Sequence, residues 1–224
     1  MKYVLSAGSA AVLLTLQALS VGGWQYALLW PALSLYGIAL AYIGLGPSIF
    51  GKQSDGSMHL VNRLVMLPFC VPYEIAWKLY LSRQKPVGHL IVPGIWLGRR
   101  PGPDEIPDGV QLLIDVTAEF QSFAALRTNY TYWTLPTLDA RSAKAPILKE
   151  FATRIANWSQ GDIYIHCAKG RGRSTTLLVA VLIERGLAQD IDEAIDLIRS
   201  KRPQVRLHAP QRQVLESLYE KNSA

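Results

Sequence analysis

From Tyr3 to Gly51 the chain carries no Asp, Glu, Lys or Arg, and Leu, Ala, Val, Ile and aromatic residues dominate. A stretch this long without charge cannot offer water the polar face that a soluble helix or strand presents, so it demands an apolar solvent. Two segments fit there, about residues 3–21 and 26–50, separated by Gly22-Gly23-Trp24-Gln25. Roughly 20 helical residues at ~1.5 Å each cross a ~30 Å hydrocarbon core, so both are long enough. Tyr and Trp near the segment ends suit the membrane interface. A cleaved secretory leader, with Lys2 as its basic start, would account for the first segment only. The second charge-free stretch follows at once, so residues 1–51 are read as two transmembrane helices forming an anchoring hairpin.

Charge outside that hairpin gives an orientation. The net +6 divides into +3 for residues 52–86, +2 for residues 87–224, and the single charge of Lys2. Lys2 lies before the first segment, Lys52, Arg63, Lys78, Arg83 and Lys85 lie after the second, and the connector is uncharged. The positive-inside tendency then puts both ends of the hairpin, and the rest of the chain, on the cytoplasmic side. The basic excess beside the bilayer suits anionic headgroups, and no nucleic-acid motif accompanies it. Residues 52–86 form a linker whose Met58–Leu81 part is apolar but interrupted by Arg63, Pro68, Pro72, Glu74 and Lys78. Charge at the bilayer centre is costly, so this part is expected to lie in the interface, with Trp77 and Tyr80 at headgroup depth, rather than to form a third span.

From Val87 the pattern becomes that of a soluble α/β domain, long enough for one core. Expected strands are His89–Val92, Ile95–Leu97, Leu112–Val116, Tyr130–Leu135 and Asp162–His166. Pro146 opens a helix whose Ile147, Leu148, Phe151, Ile155 and Trp158 fall on one face. A stretch apolar on every side, Thr175–Ile183, predicts a core helix that Gly186 stops. Asp190 and Glu193 form a capping box for a helix over Ile191–Ser200, ended by Pro203. Pro210 starts a last helix carrying Val214, Leu215 and Leu218.

Between the last strand and the core helix stands His166-Cys167-Ala168-Lys169-Gly170-Arg171-Gly172-Arg173-Ser174. Strand, glycine-rich loop and helix N-terminus aim backbone N–H groups at one small volume and favour an anion there. A cysteine in that field is held as the nucleophilic thiolate, and an arginine offers a planar fork matched to phosphate oxygens. Cys70 is the other of the two cysteines, so a disulfide framework is excluded and Cys70 reads as a packed residue.

Cys-x5-Arg-Ser after a His resembles the signature of the protein tyrosine phosphatase superfamily, and its surroundings resemble the dual-specificity branch. The likeness spans about residues 87–220 and includes Trp96-Leu97-Gly98, Leu112-Leu113-Ile114-Asp115-Val116, Leu135-Pro136-Thr137-Leu138-Asp139, Glu193-Ala194-Ile195 and Arg202-Pro203. It implies the cysteine-dependent phosphatase fold, an α/β domain with a central sheet flanked by helices, over residues 87–224. It also implies hydrolysis of phosphomonoesters through a phosphocysteine intermediate, without metal or other cofactor. Cys167 is then the nucleophile, Arg173 the transition-state clamp and Asp139 the general acid, on the loop where the family carries it. Ala168, Lys169, Gly170, Arg171, Gly172 and Ser174 form the phosphate-binding loop, Gly170 and Gly172 by permitting unusual backbone conformations. Ser174 either hydrogen-bonds the thiolate or caps the helix, and His166 orders the loop.

Lys169 and Arg171 put two extra cations in the loop, as in family members that act on lipid phosphates. Where many relatives have Pro-Asn, this chain has Arg206-Leu207-His208-Ala209-Pro210, which makes Arg206 and His208 candidates for substrate contact or loop bracing. The expected function is a membrane-anchored, cytosol-facing phosphatase of dual-specificity type acting on phosphoproteins. A phospholipid phosphatase, on phosphatidylglycerophosphate or a phosphoinositide, is the alternative. A silent phosphate-binding adaptor, a sulfurtransferase and an arsenate reductase are remoter readings, because the nucleophile, the arginine and the acid occur together.

Overall fold

The structure is a computed structural model that describes residues 2–81 and 85–220. Arg83, one of the linker's basic residues, lies outside them. The chain divides into two compact units, one of Met1–Gln53, Ser57–Arg83 and Ala118–Gln121, the other of Ser54–Gly56, Gln84–Thr117 and Ser122–Ala224.

In the first unit, helix α1 (Lys2–Val21) is followed by a 3-10 turn and by α2 (Leu29–Leu40). The break falls at Gly22 and Gly23, both at positive φ, where glycine meets no steric penalty. The helical path continues through tighter and wider turns to Phe50, giving two stretches long and apolar enough to cross a membrane. They pack mainly through small residues: Ala7, Ala11 and Ala18 of α1 and Ala32, Ser34 and Ala39 of α2 are buried, together with Ile38, whereas Leu5, Leu13, Leu16, Leu19, Leu33 and Leu40 are exposed. Small residues inside and long apolar ones outside invert the pattern of a water-soluble helix pair and match packing in lipid.

Met58–Leu81 is better ordered than its interruptions imply, for Leu60–Leu81 forms one helix, α3, that runs through Pro68 and Pro72. Pro68 has no N–H for the carbonyl of Leu64, which would normally be its partner. Trp30 of α2 supplies the missing donor, Nε1 to Leu64 O at 3.0 Å. Ser34 Oγ likewise donates to Val65 O. Phe69 stacks on Tyr73, and Tyr73 and Trp77 pack on Phe120 of the Ala118–Gln121 segment.

The second unit is built on a five-stranded sheet: β1 (Gly88–Val92), β2 (Ile95–Arg99), β3 (Val110–Thr117), β4 (Thr131–Thr137) and β5 (Asp162–Cys167), in the order β1-β2-β5-β3-β4. Only the β1–β2 hairpin is antiparallel. The four parallel strands therefore end along one edge, where loops of open α/β sheets carry their sites. Central β5 is buried on both faces, with Ile163, Tyr164 and Ile165 all 0 % exposed.

Helices α5 (Ala145–Ala156), α6 (Arg173–Glu184), α7 (Ile191–Lys201) and α8 (Ala209–Tyr219) contribute to the larger core with Leu97, Ile114, Ile165, Leu178, Val181, Ile198 and Leu215. Short α4 (Ala124–Asn129) places Leu126 in a second cluster with Val110, Leu113 and Tyr164. As the sequence requires, α6 is buried on every side from Arg173 to Leu182, and Gly186 at positive φ follows its end. Asp190 Oδ1 accepts from Glu193 N at 2.8 Å, and the Glu193 carboxylate takes the N–H of Gln189, one residue earlier than a reciprocal capping box would have it.

Two expectations need correction. Ile147 is exposed, because the buried stripe of α5 is Leu148, Ala152 and Ile155. Strands β4 and β5 run on to Thr137 and Cys167, which brings the sheet edge to the site itself.

Candidate active site

Cys167 ends β5 and Arg173 begins α6, so the six-residue interval between them is the whole connection from strand to helix. Register places Arg99 beside Cys167, and puts His166 between Gly98 and Asp115. The loop folds tightly against β2. Gly170 has φ 65°, and a Cβ there would stand 2.2 Å from the carbonyl oxygen of Gly98, so only glycine fits. Gly172 differs from the expectation: its φ is −119°, and what it needs is room beside the Gln211 side chain and the Arg206 carbonyl.

The sulfur of Cys167 is buried and accepts hydrogen bonds from Gly170 N at 3.2 Å and Ser174 Oγ at 3.3 Å. Burial pushes its pKa up. The Arg173 charge, the Ser174 hydroxyl and the backbone N–H groups of Ser174 and Arg171 outweigh burial and hold it below the ordinary thiol value. The helix cap is Gly172, so of the two roles expected for Ser174 the contact with sulfur is the one the geometry contains.

Arg173 is 3 % exposed. Its Nη1 donates to Thr137 O at 2.9 Å, and its Nη2 lies 3.6 Å from Asp139 Oδ1. Cys167, Gly170, Arg173, Ser174 and Asp139 thus meet at the sheet edge, although they come from two separate stretches of sequence. Asp139 follows β4 in a turn and its side chain is half exposed. Lys169 is exposed and Arg171 half-buried. Ala168 is buried, and its carbonyl accepts from Arg100 N at 3.3 Å.

His166 lies behind the loop, 1 % exposed, with Nδ1 3.9 Å from Asp115 Oδ1. Asp115 is fixed in turn by Thr117 N and Oγ1 and by the Tyr132 hydroxyl. Arg206 and His208 have exposed side chains, and the brace at this point is the backbone N–H of Arg206, donating to Arg171 O at 2.9 Å.

The largest support of the loop has no counterpart in the sequence reading, where Arg202 enters only as half of an Arg-Pro pair. Its guanidinium is 1 % exposed and donates from Nε to Gly170 O at 2.8 Å and from Nη2 to Lys169 O at 3.1 Å. Nη1 lies 2.8 Å from His89 Nδ1. Carbonyls held outward leave the intervening N–H groups free to face the sulfur. A signal existed, since an arginine at the end of an amphipathic helix is well placed to donate to carbonyls, but its partner lay 32 residues away.

The sequence model of the dual specificity phosphatase catalytic domain matches residues 106–222, more than half of the chain. The chain belongs to the dual-specificity phosphatase family. Among similar proteins, phosphatidylglycerophosphate phosphatase PTPMT2 of Arabidopsis thaliana is 47 % identical over 53 residues, which are 24 % of this chain and 23 % of that relative. The alignment therefore spans under a quarter of the relative's length. The crystal structure of Tk-PTP in its active form superposes with a TM-score of 0.54 at 25 % identity, covering 62 % of this chain and 99 % of Tk-PTP. PTPMT1 in complex with PI(5)P matches with a TM-score of 0.51 at 21 % identity, over 60 % of this chain and 96 % of that one, which establishes a shared fold.

Proposed function

We propose that this dual-specificity-type phosphatase hydrolyses a phospholipid monoester of the phosphatidylglycerophosphate kind at a membrane surface. The similarity to phosphatidylglycerophosphate phosphatase carries this reading, and favours the lipid alternative over the phosphoprotein substrate that the motifs alone put first. Lys169 and Arg171 in the loop and the stretch free of charged residues from Tyr3 to Gly51 support it. In this reading α1 and α2 anchor the chain with both ends cytoplasmic, α3 rests in the interface, and residues 87–224 are the catalytic part.

In the reaction, the Cys167 thiolate attacks phosphorus and the bond to the leaving oxygen breaks, giving a phosphocysteine and splitting one displacement into two. The guanidinium of Arg173 stabilises the charge that spreads over the equatorial oxygens, and backbone N–H groups of residues 168–174 hold the rest. Asp139 gives its proton to the departing alkoxide and then, as a carboxylate, takes one from the water that hydrolyses the phosphocysteine. Ser174 hydrogen-bonds the sulfur as it leaves, and His166 orders the loop from behind.

The test is a substrate panel presented to the full-length protein: phosphatidylglycerophosphate and phosphoinositides in vesicles, and phosphopeptides in solution. Turnover of the lipids with phosphopeptides at background is the expected result. Turnover confined to phosphopeptides defeats the lipid reading while leaving the phosphatase chemistry intact.

A further inference from the structure

The turn that carries Asp139 is tied down on both sides. On one side Arg173 Nη1 donates to Thr137 O, at the end of β4. On the other, Gln211 Nε2 donates to Arg141 O at 3.0 Å. Gln211 lies on α8, is 0 % exposed, and is 70 residues from its partner. Its Oε1 accepts from His208 N at 2.9 Å and stands 3.1 Å from where a Cβ on Gly172 would be. One buried amide therefore hydrogen-bonds the acid turn and the start of α8, and fills the space beside Gly172 of the phosphate loop.

Between the two ties lies Ala140 at φ 56°, the only non-glycine residue at positive φ among the described residues. A side chain with a Cβ persists there only where the surroundings over-determine the backbone. Asp139 itself is half exposed, so burial does little to fix its carboxyl. The ties on the backbone at either side add to the Arg173 contact at 3.6 Å in holding it.

We propose that Gln211 is a positioning residue, which presets the Asp139 turn against the phosphate loop so that the acid is in place before substrate arrives. This rests on reading Asp139 as the general acid. The conformation at Ala140 is the observable trace of that presetting, since a turn free to relax would leave the left-handed region.

The experiment compares kcat/KM, which covers the steps up to departure of the leaving group, on two soluble monoesters in the full-length protein: phenyl phosphate, whose leaving phenoxide needs a proton, and a fluorinated coumarin phosphate, whose leaving group does not. Gln211→Met keeps the length and buries no unpaired donor of its own. It is expected to lower kcat/KM on phenyl phosphate about tenfold to a hundredfold, within what a general acid supplies, with less than about threefold loss on the coumarin ester. The basic limb of the kcat/KM–pH profile should flatten in parallel, because that limb reports the acid. Equal losses of kcat/KM on both esters would overturn the proposal. Asp139→Asn is the reference: if it too leaves the ratio unchanged, the acid assignment falls and the brace with it. If it changes the ratio and folded Gln211→Met does not, only the brace falls. Should Gln211→Met fail to fold, Ala140→Gly decides, since it removes no hydrogen bond and releases the turn. A few-fold shift of the ratio in the same direction supports the proposal, and an unchanged ratio overturns it.

Discussion

Cys167 and Cys70 carry the same side chain in opposite surroundings. Burial, with the charges of Glu119 and Glu74, pushes the Cys70 thiol up to about 12. Around Cys167, Arg173, Ser174 and backbone N–H groups overcome burial and pull the thiol down. Iodoacetamide should therefore modify Cys167 selectively, with a rate–pH midpoint below the ordinary thiol value, and Ser174→Ala should move that midpoint upward by removing a donor to the thiolate. A midpoint in the ordinary range would contradict the geometry. The linked stability has a definite sign: the folded thiol is the more acidic, so its contribution grows as pH rises from the folded pKa to the unfolded one, and is lost as pH falls through the folded pKa. Gly170 supplies a second residue-scale expectation. Gly170→Ala would set a methyl carbon 2.2 Å from Gly98 O at a positive φ, so aryl phosphatase activity should fall at least about a hundredfold. Gly172→Ala, at an ordinary φ, should cost far less. The spacing of the motif could not separate the two glycines, because the need for each is set by what packs against it: β2 in one case and Gln211 in the other.

At the scale of elements, the sequence revealed most where one feature dominates. A helix apolar on every side has to be a core helix, and α6 is. What escaped depends on contacts made at a distance. Six-residue α4 is too short for any period to show, and the single-face reading of α5 took in Ile147 because composition does not reveal which neighbour a helix will meet. The tie from the end of α7 to the phosphate loop is the most consequential of these. Arg202 holds two loop carbonyls from inside the protein, so Arg202→Met should remove those donors while filling most of the volume. The expected cost is about 2–4 kcal/mol in urea unfolding, together with at least a tenfold drop in kcat, since buried carbonyls left unpaired are expensive. A stability loss with kcat retained would show that the loop keeps its shape without the arginine.

For the whole molecule, composition separated a greasy N-terminal part from an α/β part, yet it does not mark a single cut. Ser54–Gly56 belongs to the second compact unit and Ala118–Gln121 to the first, because composition reports the solvent a segment prefers, whereas compact units are defined by contacts. If the apolar helices serve as a tether, their effect is on encounter and not on chemistry. A site held at the bilayer meets lipid phosphates at an effective concentration fixed by the linker, and avidity of this kind is worth about a hundredfold to ten-thousandfold without any new contact. Since 99 % of the Tk-PTP chain superposes on 62 % of this chain, removal of residues 2–51 should leave the site assembled. The deletion is then expected to keep kcat/KM on a soluble aryl phosphate within about twofold, and to reduce turnover of phosphatidylglycerophosphate in vesicles by about a hundredfold or more. The residual vesicle activity should fall further as salt is raised, since only the basic linker would still attract anionic headgroups. Equal losses on both substrates would mean that the hairpin supports the fold of the enzyme. Equal retention of both would mean that lipid reaches the site without a tether, and that the apolar helices serve some purpose other than bringing the enzyme to its substrate.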